Sequence, residues 1–211
     1  AEVILAEGQE GHIARQLSPK YQGKDSQESL VHQFVNWNKY SSSQDAKEIK
    51  ELIACADIVI TTDSTPQIDS SEIDAIHLSI TAHGLTGPWS NIPGNDLTHS
   101  ANSGWAMINK YENEEPLQLP TNQASFISGV AGFVAASAAL HRGSKELIDV
   151  SELEATALTC VPWAIMGIFI GGDRLQFGPN RRKTRGRGYL GAAAAAPVPP
   201  RPAKAACEYT L

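Results

Sequence analysis

An α/β fold of the Rossmann type, a mainly parallel sheet with covering helices, is what this sequence predicts for residues 1–173. Two observations carry the prediction. Apolar runs of strand length alternate with helix-patterned segments, and a Ser-x-x-Glu box joins one such run directly to a helix. The run EVILA at 2–6 suits a buried strand and is followed by Glu7 and the glycines Gly8 and Gly11. Residues 45–54, DAKEIKELIA, read as a helix: Asp45 is placed to cap it, Glu48 follows three residues on, and Ile49, Leu52 and Ile53 share a face. ADIVIT at 56–61 and AIHLSIT at 75–81 are strands by their β-branched content.

After the 75–81 strand comes a glycine-rich turn, HGLTGPWSNIPGND at 83–96. Glycine permits positive φ and close approach of backbone to a ligand, while Pro88 and Pro93 stiffen the loop. The spacing Gly84-x-x-Gly87-Pro88 is neither the dinucleotide fingerprint nor a Walker loop, so an NAD-dependent dehydrogenase is disfavoured. Residues 124–142, ASFISGVAGFVAASAALHR, form a helix of small residues, in which Gly129, Gly132, Ala136 and Ala139 permit close packing. It is too short and small-sided for a membrane span. KELIDV at 145–150 is a strand that runs into Ser151-Glu152-Leu153-Glu154, a capping box opening a helix over 152–167. Pro162 and the lack of basic flanks make that apolar stretch a buried core helix.

The chain has 211 residues, 42% hydrophobic and 19% charged, which suits a globular domain with a real core. The net charge of −6 conceals a break. Residues 1–173 carry 9 basic and 22 acidic residues, a net −13, whereas residues 174–211 carry 8 basic and 1 acidic, a net +7. The basic segment is rich in Arg, Gly, Ala and Pro and reads as a poorly ordered, solvated tail. No aromatic ladder interleaves its arginines, so nucleic acid is not an expected partner, and no membrane partner is expected either. Cys55, Cys160 and Cys207 form no CxxC pair, which supports neither a disulfide framework nor a zinc site and points to a reducing cytoplasm. The N-terminal stretch AEVILAEGQEG has no signal-peptide pattern; it opens on a strand, as if sequence upstream were missing.

Three stretches together are more specific than any alone. The turn GLTGPWSNIPGNDLTHSANSGW at 84–105, the helix QASFISGVAGFVAASAALHRGSK at 123–145 and ELIDVSELEATAL at 146–158 occur in one order and spacing. They resemble the family III CoA-transferases, which include formyl-CoA transferase, carnitine CoA-transferase and the α-methylacyl-CoA racemases. AEVILAEGQEGHIAR resembles the family's second strand with its trailing Glu, Asn36-Trp37-Asn38-Lys39 with Asp45 its NxxKxxxxxD segment, and Cys55-Ala56-Asp57-Ile58-Val59 its ADV strand. The resemblance runs from residue 1 to about residue 160. It implies a partial large domain of such an enzyme, lacking the first strand, the small domain and the second glycine-rich loop. Coenzyme A is then a substrate rather than a tightly held cofactor. Gly84, Gly87, Gly94 and Gly129 become the candidate positions of close approach to it.

The departures from the family bear on chemistry. The family's nucleophilic Asp, which forms an acyl anhydride and then an aspartyl-CoA thioester, corresponds to Ser125 here. A serine cannot form that anhydride, and no His or Asp lies beside it in the helix segment to activate it. The racemase branch's His corresponds to Asn95, and the family's Asn-Phe pair after the ADV strand to Thr62 and Asp63, whose charge repels phosphates. The resemblance implies CoA transfer as the family activity and an inactive site in this chain alone. The carboxylate then comes from the other repeat of a tandem protein, and the interlocked dimers that the family forms imply a homo-oligomer or a partner chain to close the architecture. The alternatives are a non-catalytic CoA-binding or dimerisation module, and a hydrolase or lyase that uses Ser125.

Overall fold

The computed structural model describes residues 1–7, 11–22, 27–43, 46–62, 68–109, 115–120, 122–162 and 165. Over these residues the chain is mixed α/β with parallel sheets, as the alternation of runs predicts. Strands β5 (Ile58–Thr62), β6 (Ile76–Thr81) and β7 (Leu147–Ser151) form the largest sheet, all parallel, with β6 in the centre. Leu78 stands opposite Ile60 on one side and Ile148 on the other. Ile76 and Leu78 on one face and His77 and Ser79 on the other are almost wholly buried, in keeping with a central parallel strand covered on both faces.

The cover on the apolar face is helix α5 (Gln123–Arg142). Ala136 and Ala139 pack with Ile76 and Leu78, flanked by Ile58, Ile80, Ile148 and Val150. Small residues permit this approach: a Cβ built on Gly132 would lie 3.0 and 3.3 Å from the two Leu78 methyls. The helix stops at Gly143, whose φ of 69° lies in the left-handed region. Its 20 residues include an 18-residue stretch of mean hydropathy 1.5 and meet the length and composition of a membrane span, but one face is fitted to the sheet. Gly132→Val should therefore lower stability by about 1–3 kcal/mol, the usual range for overpacking, measured as the urea midpoint. Gly129, with open space around its Cβ, is the internal control: Gly129→Ala should be neutral or stabilising.

Several expectations are corrected. The strand at the N-terminus, β1 (Ile4–Glu7), does not join the main sheet; it pairs in parallel with β4 (Tyr40–Ser43) as a separate two-stranded sheet. Its backbone groups are satisfied by β4, from Ile4 opposite Tyr40 to Glu7 opposite Ser43, and Tyr40 N donates to Val3 O at 2.9 Å. An antiparallel pair, β2 (Lys20–Gln22) and β3 (Gln27–Ser29), and a short helix α1 (Leu30–Val35) lie between them. Helix α2 (Ala46–Cys55) matches the segment expected to be helical, although its proposed cap Asp45 lies outside the described residues. After β6 come two short helices, α3 (Asp96–Asn102) and α4 (Trp105–Ile108). The helix expected over 152–167 is shorter: α6 spans Glu152–Leu158. Its last turn tightens through Thr159 N to Thr156 O and Cys160 N to Ala157 O, and helical backbone resumes at Val161 and Pro162, a first-turn place that proline tolerates. The basic segment 174–211 lies outside the described residues.

Candidate functional site

The glycine-rich turn leaves β6 and is pinned at once to the β7–α6 junction. Thr81 Oγ1 accepts from Gly84 N at 2.9 Å, Asp149 Oδ2 accepts from Leu85 N at 2.9 Å, and Leu153 N donates to Ala82 O at 3.1 Å. Gly84 has φ +86°, and a Cβ there would sit 3.4 Å from Asp149 Oδ2, so both its conformation and its contact suit glycine. Gly87, at φ +99°, has open space around it. Gly94 is the opposite case: a Cβ would fall 2.4 Å from His99 Nε2 and 2.8 Å from the Ala82 Cβ. Of the three turn glycines proposed for ligand approach, Gly87 leaves that space, while Gly84 and Gly94 serve packing within the turn.

The turn ends in a capping box. Asn95 accepts from Thr98 N at 3.0 Å while its own N–H donates to Thr98 Oγ1 at 2.9 Å. The side chain at the racemase histidine position is thus spent on starting α3. The next residue, Asp96, reaches across to α5: its Oδ1 accepts from Ala124 N at 2.8 Å and its Oδ2 from Asn122 N at 3.1 Å. Asn122, the residue before α5, has φ 66° and makes no side-chain cap, so Asp96 does the capping from another helix. One turn along α3, His99 is fully buried. Its Nδ1 lies 3.2 Å from Glu152 Oε2 without hydrogen-bond alignment, and its ring meets His83 edge-on at 5.5 Å. His83 in turn meets Trp89 edge-on at 5.7 Å and donates from Nδ1 to Ile92 O at 2.9 Å, since a carbonyl can only accept. The buried Ser128 hydroxyl donates to Ser125 O at 3.0 Å, with Glu152 Oε1 farther off at 3.5 Å.

Ser125 is the third residue of α5 and is exposed, and Gly129 follows on the same exposed side one turn later. Among the described residues no acid or base hydrogen-bonds the Ser125 hydroxyl; the nearby carboxylates, Asp96 and Glu152, are engaged elsewhere. Such a hydroxyl is a weak nucleophile. The head of α5 also offers less to an anion than its sequence suggests, because the amides of Asn122 and Ala124 already serve Asp96. No Lys or Arg occurs in the turn or in the first 19 residues of α5. Thr62 ends β5, and Asp63 lies outside the described residues. The turn, Ser125 and Gly129 are thus brought to one end of the sheet. Asp96, Asp149, His99 and Glu152 build the site without having been singled out as site residues. Asp96 and Asp149 do stand inside motifs that carried the resemblance, PGND and IDVS.

Comparison with known proteins gives the same family. The model of CoA-transferase family III matches residues 1–193. The chain is 26% identical over 179 residues to the succinyl-CoA:(R)-benzylsuccinate CoA-transferase subunit BbsE of Thauera aromatica, covering 75% of this chain and 44% of that protein. It is 28% identical over 191 residues to the succinyl-CoA:glutarate CoA-transferase of Homo sapiens, covering 81% of this chain and 43% of that one. Its fold is shared with a CAIB/BAIF family protein from Brucella suis at TM-score 0.72 and 21% identity, over 83% of this chain and 52% of that one. A hypothetical protein from Mycobacterium tuberculosis gives TM-score 0.66 and 24% identity, over 79% and 51%. The chain spans less than half the length of these curated relatives. With a family match over most of its length and a shared fold, the chain belongs to CoA-transferase family III.

Proposed function

We propose that this chain is a component of an acyl-CoA:carboxylate CoA-transferase that does not transfer CoA by itself, a second chain or repeat supplying the reacting carboxylate. The observation that carries this reading is Ser125, exposed at the head of α5 and linked to no acid or base among the described residues. Transfer between acids needs a carboxylate that becomes an anhydride and then a thioester, which a hydroxyl cannot become. Placement of the group without the right chemistry does not supply the missing step. The relative from Thauera aromatica is named as a subunit, which supports an assembly of more than one chain. Incubated with an acyl-CoA donor and several carboxylic acids, the chain alone should give only the uncatalysed background. Enzyme-like turnover would contradict the proposal.

Coenzyme A, in this reading, is a substrate that approaches the carboxyl ends of the β5-β6-β7 strands, the usual ligand edge of a parallel sheet. Gly87 is the turn position with room for it. Gly87→Val should weaken CoA binding about tenfold in calorimetry. The strain of a β-branched residue at φ +99° is confined to the turn, so the chain stays folded. Unchanged affinity would remove the turn from the site.

A second reading, a non-catalytic dimerisation module, is favoured by α5 itself. Phe126, Val130, Phe133, Val134 and Leu140 expose 42–70% of their surface along the side turned away from the sheet.

A further inference from the structure

We propose that Asp96 is the positioning residue for side chain 125: it fixes the first turn of α5 and neutralises that helix head, so a group at 125 is held in place without being activated. The inference deepens the CoA-transferase reading and rests on it for its meaning. Both carboxylate oxygens are committed, Oδ1 to Ala124 N at 2.8 Å and Oδ2 to Asn122 N at 3.1 Å, on either side of the helix start. Gln123 N turns instead to Pro120 O at 3.3 Å. A helix head without such a carboxylate carries partial positive charge, which favours anions and lowers the basicity of a nearby acid or thiol. With Asp96 in place that field is cancelled one residue before 125. An acyl-CoA phosphate is not drawn to the head, and a carboxylate placed at 125 keeps its full basicity as a nucleophile. Asp96 is itself fixed, since it follows the Asn95 capping box in the first turn of α3. The other ionisable groups on helices packed against α5 are Glu152 of α6, 3.5 Å from the Ser128 hydroxyl, the exposed Glu154 of α6, and His99, which faces Glu152 from α3.

A thiol at 125 reads this field without coenzyme A. The probe chain carries Ser125→Cys with Cys55→Ser and Cys207→Ser. Cys160 stays, because it is buried and its thiol is pushed up to about 11 by burial, too high to react near neutral pH. The rate of iodoacetamide alkylation at 125, followed by peptide mass spectrometry, is measured against pH. Asp96→Asn keeps the shape and one acceptor oxygen but removes the charge, so the midpoint should fall by about 1 pH unit. Asp96→Ala should lower it as far and also speed hydrogen exchange at Asn122 and Ala124, whereas Asp96→Glu should retain the high midpoint. A purely structural role would leave the midpoint in place in the folded Asn variant, and that result overturns the proposal. A midpoint that shifts as expected, beside a Ser125→Asp chain that forms no CoA adduct, would sink the functional reading and leave the role of Asp96 standing.

Discussion

Replacing Arg15 with alanine is expected to remove about 3 kcal/mol of folding stability, read from the urea unfolding midpoint. Glu7 closes β1 and is only 8% exposed, yet it is ionised. Arg15 holds it from both sides, Nε to Oε2 at 2.6 Å and Nη2 to Oε1 at 2.9 Å, and His12 N adds a donor to Oε2 at 3.2 Å. Truncating the guanidinium leaves a carboxylate in place with most of its compensation gone. The Arg15 side chain is 45% exposed, so water softens the loss and the figure sits at the low end for a broken buried pair. The effect depends on pH in a fixed direction. The Arg15 hydrogen bonds hold the Glu7 carboxyl below its usual value of 4.5, so the unfolded chain takes up its proton first as pH falls. The Glu7 contribution is complete above about pH 4.5 and is lost as pH drops through the lower folded value. Arg15→Ala should flatten this limb. It should also soften the earlier loss below about pH 6.5 at His32, whose charged form is disfavoured by burial and by the Arg15 charge, and leave the loss at His77, buried between Thr61 and Ser70, unchanged.

Gly94→Ala should cost about 3 kcal/mol, toward the upper end of overpacking losses. The added Cβ would meet His99 Nε2 at 2.4 Å, Ala82 Cβ at 2.8 Å and His83 Cε1 at 3.1 Å, all inside contact distance. His99 has no free space to swing into, being fully buried against Glu152 and His83, and the Ala82 Cβ moves only with its backbone. The thermal midpoint of the single variant should fall. In Gly94→Ala with His99→Ser the combined loss should be smaller than the sum of the two, because the second change removes the first atom in the way. A single variant that melts with the wild type would show that the turn is looser than these contacts require. Additive losses in the double variant would move the clash elsewhere.

The sequence made some of this legible and hid the rest for physical reasons. AIHLSIT announces β6 because a central parallel strand is buried on both faces and must be rich in branched apolar residues. The small residues of α5 announce close packing, and Gly132 against Leu78 realises it. The strands KYQ, QES and YSSS carry no such mark, since they are short, polar and paired only two at a time. EVILA reads as a strand correctly, but its partner is set by the path of the chain through α1 to β4, which no local pattern encodes. At the site, the turn and position 125 could be found from motif order. The clamp of Asp96 on Ala124 could not, because it joins residues 28 apart in sequence through the packing of two helices. The burial of His99 is likewise a tertiary outcome, for the side chain sits on a helix of mixed polar composition.

Position 125 offers the most direct test of an incomplete site. Ser125 is exposed on the first turn of α5, so an aspartate there meets no packing constraint and Ser125→Asp should fold like the parent chain. Both chains are incubated with an acyl-CoA donor and a carboxylic acid acceptor, with release of the new acyl-CoA followed by chromatography and the protein itself by intact mass. The parent should show neither transfer nor adduct, and Ser125→Asp should gain a covalent acyl or CoA adduct at residue 125. Transfer by the parent chain at enzyme-like rates, or an adduct on its unsubstituted Ser125, would contradict the assignment of this position as the missing carboxylate.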